Sequence, residues 1–123
     1  MKSTNANSSP ACRRCLQFII FVGSPTGRKN INPQDYLGVC TRVGALIDDF
    51  SVVRAERCNR SQFEDSLVIH TSTQDPRKAF DAAISILSFL GQDAISLAHD
   101  GIAIQINHST DPEDCFESFG LTN

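Results

Sequence analysis

A chain of 123 residues has room for one core, so the sequence predicts a single domain. Hydrophobic residues make up 41% of it and charged residues 20%, which is typical of a globular protein and excludes wholesale disorder. The formal net charge of −3 excludes a broadly basic surface for non-specific nucleic-acid binding. Since no apolar run approaches the roughly 20 residues that span a bilayer, we expect a cytoplasmic protein.

The five cysteines do not form the regular framework of a disulfide-stapled domain. Cys12 and Cys15 have C-x-x-C spacing, but a structural zinc site needs a second ligand pair. Cys40, Cys58 and Cys115 are single, so we expect no metal site and no cofactor. The role of the Cys12–Cys15 pair stays open.

The first half of the chain predicts a tail, a strand and a helix. Residues 1–14 are polar, and we expect them to be disordered. Leu16 to Val22 are apolar on both faces, which indicates a central strand. Asn32 followed by Pro33 is a typical helix start, and apolar residues recur at helical spacing to about Asp49.

The second half predicts two strands, a helix and a hairpin. The strands cover 50–57 and 64–71, joined by a connection over 57–63. Asp75-Pro76 starts the second helix, and Gly91 ends it. Two alternating segments, 94–98 and 102–106, flank a His-Asp-Gly turn that favours a hairpin. Residues 108–123 form an acidic tail, in which Phe116 and Phe119 indicate a short docking helix.

This order predicts an α+β domain over residues 15–107 with a ferredoxin-like βαββαβ sheet. We expect the last hairpin strand as an addition and both helices on one face of the sheet. The opposite face would carry Ile19, Phe21, Val53 and Val68, which is too apolar for open water. A homo-oligomer or a protein partner would cover it; alternatively the tails, with Phe116 and Phe119, fold over it.

Two groups of polar residues could bind a small ligand. Arg28 and Lys29 lie in a glycine-containing loop before a helix, where they could hold an anionic small ligand, although the spacings of the P-loop and dinucleotide motifs are absent. The second group is a set of carboxylates and imidazoles that could provide acid–base chemistry: Glu64, Asp65, His70, Asp93, His99 and Asp100. Glu64 and Asp65 are neighbours on a strand and point to opposite faces, so we expect His70, Asp93 and His99, with Gln92, to be the ligand-binding residues. Each group also has a purely structural interpretation, as a solvated loop and as turn or helix-end residues.

The segments "FEDSLVIHT" and "FLGQDAISLAHDG" resemble those of small, mostly uncharacterised ferredoxin-like proteins of bacteria and their phages, over residues 16–106. The resemblance implies a stand-alone cytosolic domain of the kind that mobile elements encode. It transfers no catalytic residue to this chain.

The sequence favours a non-enzymatic binding protein, acting as a dimer, that inhibits a partner or captures a ligand. The alternative is a small enzyme or nucleotide-binding protein that uses Arg28 and Lys29 with His70, Asp93 and His99. A third hypothesis, nucleic-acid binding through Arg54, Arg57 and Arg60, is disfavoured by the acidic composition.

Overall fold

The computed structural model describes residues 15–25 and 27–121. These residues form eight elements, in chain order β1 (Leu16–Val22), α1 (Pro33–Gly44), β2 (Asp49–Asn59), β3 (Gln62–Thr73), α2 (Pro76–Leu90), β4 (Ile95–His99), β5 (Ile102–Ile106) and α3 (Pro112–Ser118). The tail predicted over residues 1–14, including Cys12, lies outside the described residues.

The strands form one antiparallel sheet in the order β2-β3-β1-β4-β5. The first four strands in the chain have the ferredoxin-like arrangement, and β5 extends the sheet through the hairpin. The predicted fold class is therefore confirmed.

Alternation along β1 separates the two faces of the sheet. Phe18, Ile20 and Val22 are buried beneath the helices, whereas Phe21 is 42% exposed on the opposite face. Val53 pairs with Val68 on that same opposite face and is 51% exposed. We call this surface the open face; in the described residues no helix packs on it.

Helix α1 begins as predicted and ends earlier. Asn32 and Asp35 form a reciprocal capping box, and Pro33 is the first helical residue. The helix ends at Gly44, not near Asp49 as the periodicity indicated. Ile47 is buried in the turn that follows, so its apolar side chain continues the helical spacing although the backbone has left the helix.

The β2–β3 hairpin is tighter than predicted. Asn59 pairs with Gln62, so only Arg60 and Ser61 form the turn, with φ of 53° and 65°. The connection expected over 57–63 was wrong. Two-residue hairpin turns usually contain glycine, and this one has none, so the sequence did not indicate it. The left-handed conformation of Arg60 and Ser61 costs about 1–2 kcal/mol for each residue.

Helix α3 packs on the same side of the sheet as α1 and α2. Phe116 meets Phe80 of α2 edge to face at 6.2 Å, and Phe119 meets Phe18 of β1 at 6.0 Å. The alternative in which Phe116 and Phe119 fold over the open face was therefore wrong. Throughout the described part of the chain, no helix has the length and apolar character needed to span a membrane.

Candidate ligand-binding site

A cleft opens at the point where the central strand ends. Val22, the last residue of β1, pairs with Leu67, but β3 continues beyond that pair to Gln62. On the other side, β4 begins at Ile95. The space left beyond β1 is a cleft of about 690 Å³ on the open face, within the range of small-molecule sites.

The cleft has an apolar base and a polar rim. Phe21 and Val68 provide apolar surface, and Ser66 and Ser96 add hydroxyl groups beside it. The wider rim consists of charged and amide side chains contributed from both ends of the cleft: Glu56, Arg57, Glu64, Gln92, Asp93 and Gln105. An amphipathic ligand matches this division.

The backbone after β1 is held in place from two sides. Gln92 Nε2 donates to the carbonyl oxygens of Gly23 and Ser24, at 2.7 and 3.0 Å. The Ser24 hydroxyl donates to the carbonyl oxygen of Asp65 at 2.8 Å. This backbone, which lines the cleft, is thus tied both to the end of α2 and to β3.

Asp65 fixes the next part of the same loop. Its carboxylate accepts the N–H of Ile31 at 2.8 Å, and its own N–H donates to the carbonyl oxygen of Lys29 at 2.9 Å. The Lys29 ammonium donates to the Gln62 side chain. Because adjacent residues on a strand face opposite sides, Asp65 holds the loop while Glu64 faces the cleft.

Arg28 is committed to an ion pair. Its guanidinium lies 3.0 and 3.1 Å from the two carboxylate oxygens of the buried Asp35. The hydrogen bond from Arg28 lowers the pKa of Asp35, against the opposing effect of burial, and the N–H of Asn32 lowers it further. Neither Arg28 nor Lys29 lines the 690 Å³ cleft.

Glu64 and Asp93 are the carboxylates of the cleft with the clearest chemical capacity. Glu64 is half-buried and Asp93 is exposed. Among the described residues neither carboxylate has a hydrogen-bond or ion-pair partner. Arg57 lies opposite Glu64 in the strand register, but with Glu56 the rim has three carboxylates against this one cation, so its net negative charge attracts a cationic group of a ligand.

A second cavity of about 400 Å³ adjoins the first on the open face. His70 and His99 both line it, and Phe21 lines both cavities. His99 Nδ1 lies 2.7 Å from the carbonyl oxygen of Gln17, and its ring stacks on Phe18 at 4.7 Å. His99 thus belongs to the end of β4 and packs on the core, beyond the turn role expected for it.

The structure divides the predicted ligand-binding residues into three places. Gln92 and Asp93 line the cleft, His70 and His99 line the second cavity, and Arg28 and Lys29 line neither. The enzyme hypothesis required Arg28, Lys29, His70, Asp93 and His99 to converge on one pocket, and the structure does not bring these five together. Sequence reasoning weighed Glu64 together with Asp65 but did not include it among the ligand-binding residues, although the alternation of β3 places Glu64 on the same face as Val68.

The described residues contain no group of three or more His, Cys, Asp or Glu side chains suited to a metal ion. Cys40, Cys58 and Cys115 form no disulfide. Cys12 lies outside the described residues, so the C-x-x-C pair has no structural description.

Comparisons with known proteins add a likeness of fold. No family model matches the sequence, and no curated protein matches it. A solved structure of a phage SAM lyase in complex with S-methyl-5′-thioadenosine is similar, with a TM-score of 0.52 and 16% identity. The match covers 89% of this chain and 99% of that one. A phage SAM lyase in its apo state matches with a TM-score of 0.49 and 15% identity, over 78% and 91% of the two chains.

These comparisons correct the main functional expectation. The expected non-enzymatic inhibitor or ligand-capturing protein was wrong, because the ligand-bound solved protein that shares this fold is an enzyme. The resemblance to phage proteins is consistent with the ligand-bound structure, at the level of the fold.

Proposed function

We propose that this chain is a small enzyme that binds a 5′-thioadenosine compound and cleaves S-adenosylmethionine (SAM). The observation that carries the proposal is the amphipathic 690 Å³ cleft on a fold shared with a SAM lyase that binds S-methyl-5′-thioadenosine. The proposal keeps the nucleotide-binding enzyme of the sequence analysis and moves its site from the Arg28–Lys29 loop to the cleft.

The chemistry of the cleft suits a sulfonium substrate. SAM carries a positive sulfur, and the carboxylates of Glu64 and Asp93 attract it electrostatically. In the proposed lyase reaction the carboxylate of the substrate's own amino-acid chain attacks the carbon bonded to sulfur, so that a C–O bond forms and closes a lactone while the C–S bond breaks without water and its electron pair stays on sulfur. The sulfur becomes a neutral thioether, which the apolar surface of Phe21 and Val68 accommodates better than a cation.

The reaction removes the positive charge from sulfur, and the apolar base of the cleft favours that change. An environment with an apolar base stabilises the charge-neutral thioether relative to the sulfonium. Glu64 and Asp93 bind the substrate, and Gln92 positions the Gly23–Ser24 backbone beside it. We further propose a cytoplasmic location and a mobile-element origin, which fit a free nucleoside substrate and the phage likeness.

We also propose that copies of the chain associate through the open face. Ile19, Phe21, Val53 and Val68 lie on this face. Because Ile19, Phe21 and Val68 line the ligand cavities, we place the contact between copies around Val53, which exposes 51% of its surface and lines neither cavity. Burial of this apolar surface favours association at about 25 cal/mol per Å². Sedimentation of the wild type and of Val53→Glu tests the proposal: we expect an oligomer for the first and a smaller species for the second, and a monomeric wild type would contradict it.

An NMR titration with S-methyl-5′-thioadenosine tests the position of the site. We expect backbone amide shifts for Ser24, Ser66 and Asp93 in the wild type. Glu64→Gln tests the sulfonium contact: it should weaken binding of SAM more than binding of the neutral thioadenosine. Glu117→Gln, an exposed carboxylate on α3, is the matched control. Shifts confined to residues 27–32, or no shifts, would contradict the proposal.

A further inference from the structure

The cavity beside the cleft differs from it in chemical character. Its lining is mostly apolar and comes from two strands of the sheet centre and the β4–β5 hairpin: Phe18, Ile19, Phe21, Ala98 and Ala103. The carboxylates Glu64 and Asp93 belong to the cleft alone. Phe21 lines both spaces, so a ligand that passes its side chain has an apolar environment at one end and a charged one at the other.

The strand register explains why the cavity is hollow. Ile19 pairs with Ala98, and Ala98 pairs with Ala103 on the next strand. All three face the open side, where the two alanines have only a methyl group each. The larger side chains of Ile19, Phe21 and His70 therefore stand above a low floor, which suits a flat ring.

His99 borders the cavity from the other side of the sheet. Its ring stacks on Phe18 at 4.7 Å and meets Phe119 edge to face at 5.8 Å, and both of these residues are buried on the helix side. The phenyl ring on the open face that a ligand can contact is therefore that of Phe21.

We propose that the cavity holds the adenine ring of the ligand, with Phe21 as the side chain on which the base stacks. This inference rests on the proposed function, because it assigns one end of the same ligand. Val68, opposite Phe21, lies four residues from Glu64 along β3, a distance of about 13 Å. That separation leaves room for the ribose between the base and the sulfonium.

Titrations with adenosine test the inference directly. We expect Phe21→Ala to weaken adenosine binding about tenfold or more, since base–aromatic stacking contributes on the order of 1–3 kcal/mol. Phe21→Tyr keeps the ring and should bind as the wild type does. Phe63→Ala is the matched control, because Phe63 is 63% exposed and lines neither cavity. Thermal melts of each variant verify that it is folded.

The outcomes separate this inference from the proposed function. If the wild type does not bind adenosine, or if Phe21→Ala binds it as tightly as the wild type, the inference is overturned whether or not SAM is cleaved. If adenosine binds in a Phe21-dependent way while SAM remains intact, the inference holds and the proposed function fails.

Discussion

The two terminal nitrogens of the Arg28 guanidinium bind the two carboxylate oxygens of Asp35, at 3.0 and 3.1 Å. Asp35 is buried and also accepts the N–H of Asn32 at 3.0 Å. The pair therefore attaches the loop after β1 to the first turn of α1. The positive charge of Arg28, which the sequence predicted would bind an anionic ligand, instead stabilises the fold.

The Arg28–Asp35 pair should contribute to stability. Arg28→Ala leaves a buried carboxylate with a single N–H partner, and we expect the free energy of unfolding to fall by about 1–2 kcal/mol, since Arg28 is partly exposed to solvent. Lys78→Ala removes an exposed cation from α2 and is the control, with little expected change. Urea denaturation measures both. Equal effects of the two substitutions would argue against the pair.

The same pair predicts how stability depends on pH. The pKa of Asp35 is lowered in the folded protein, chiefly by the hydrogen bond from Arg28, so the unfolded chain binds the proton more readily. Its stabilising contribution is complete above the unfolded value, about 4, and is lost as the pH falls through the lower folded value. Asp35→Asn should flatten this acid limb of the unfolding free energy. An unchanged acid limb in Asp35→Asn would exclude Asp35 as its source.

Gly38 should be required by the ring of Phe89. A Cβ at this position would lie 2.2 Å from Phe89 Cζ. The guanidinium carbon of Arg42 lies 3.9 Å from the centre of the same ring and limits how far the ring can move. We expect Gly38→Ala to destabilise the protein by about 1 kcal/mol, in spite of the higher helix propensity of alanine. In a Phe89→Ala background the same change should become stabilising. Gly44→Ala, whose Cβ would meet Phe50 at an ordinary 3.6 Å, is the control. Loss of stability in both backgrounds would exclude the ring as the cause.

Gln92 should matter for ligand binding more than for folding. In Gln92→Glu, a carboxylate oxygen replaces the amide that donates to the Gly23 and Ser24 carbonyl oxygens, so the backbone beside the cleft should move away. We expect S-methyl-5′-thioadenosine to bind about tenfold more weakly. The melting temperature should change little, because the substitution affects the backbone beside the cleft and leaves the core intact. Gln34→Glu, on the exposed start of α1, is the control. Unchanged affinity in Gln92→Glu would refute its positioning role.

The sheet could be predicted because alternation and helix caps are local signals. The spacing of Phe18 and Ile20 separated the two faces, and Asn32-Pro33 and Gly91 marked helix ends. The position of the cleft could not be predicted in the same way. It depends on how far β3 runs past the end of β1, and that length depends on a turn at Arg60-Ser61 with no glycine.

Site residues followed the same division. Gln92 and Asp93 were predicted as ligand-binding residues because they follow the end of a helix, and both line the cleft. Alternation alone puts Glu64 and Asp65 on opposite faces of the strand. Which of them faces the cleft follows only from the sheet register, and the carboxylate of Asp65 binds the Ile31 N–H. The prediction of an anion site at Arg28 was misleading. Its partner Asp35 is seven residues away along the chain, and the burial of Asp35 depends on the tertiary fold.

The most direct measurement of the central claim is the conversion of SAM by the purified protein, followed by liquid chromatography with mass spectrometry. We predict that S-methyl-5′-thioadenosine appears in step with the loss of SAM, that Glu64→Gln and Asp93→Asn slow its formation, and that Glu117→Gln does not. A folded wild-type protein that leaves SAM intact, or equal rates in all four proteins, would contradict the assignment of an enzyme with its site in the cleft.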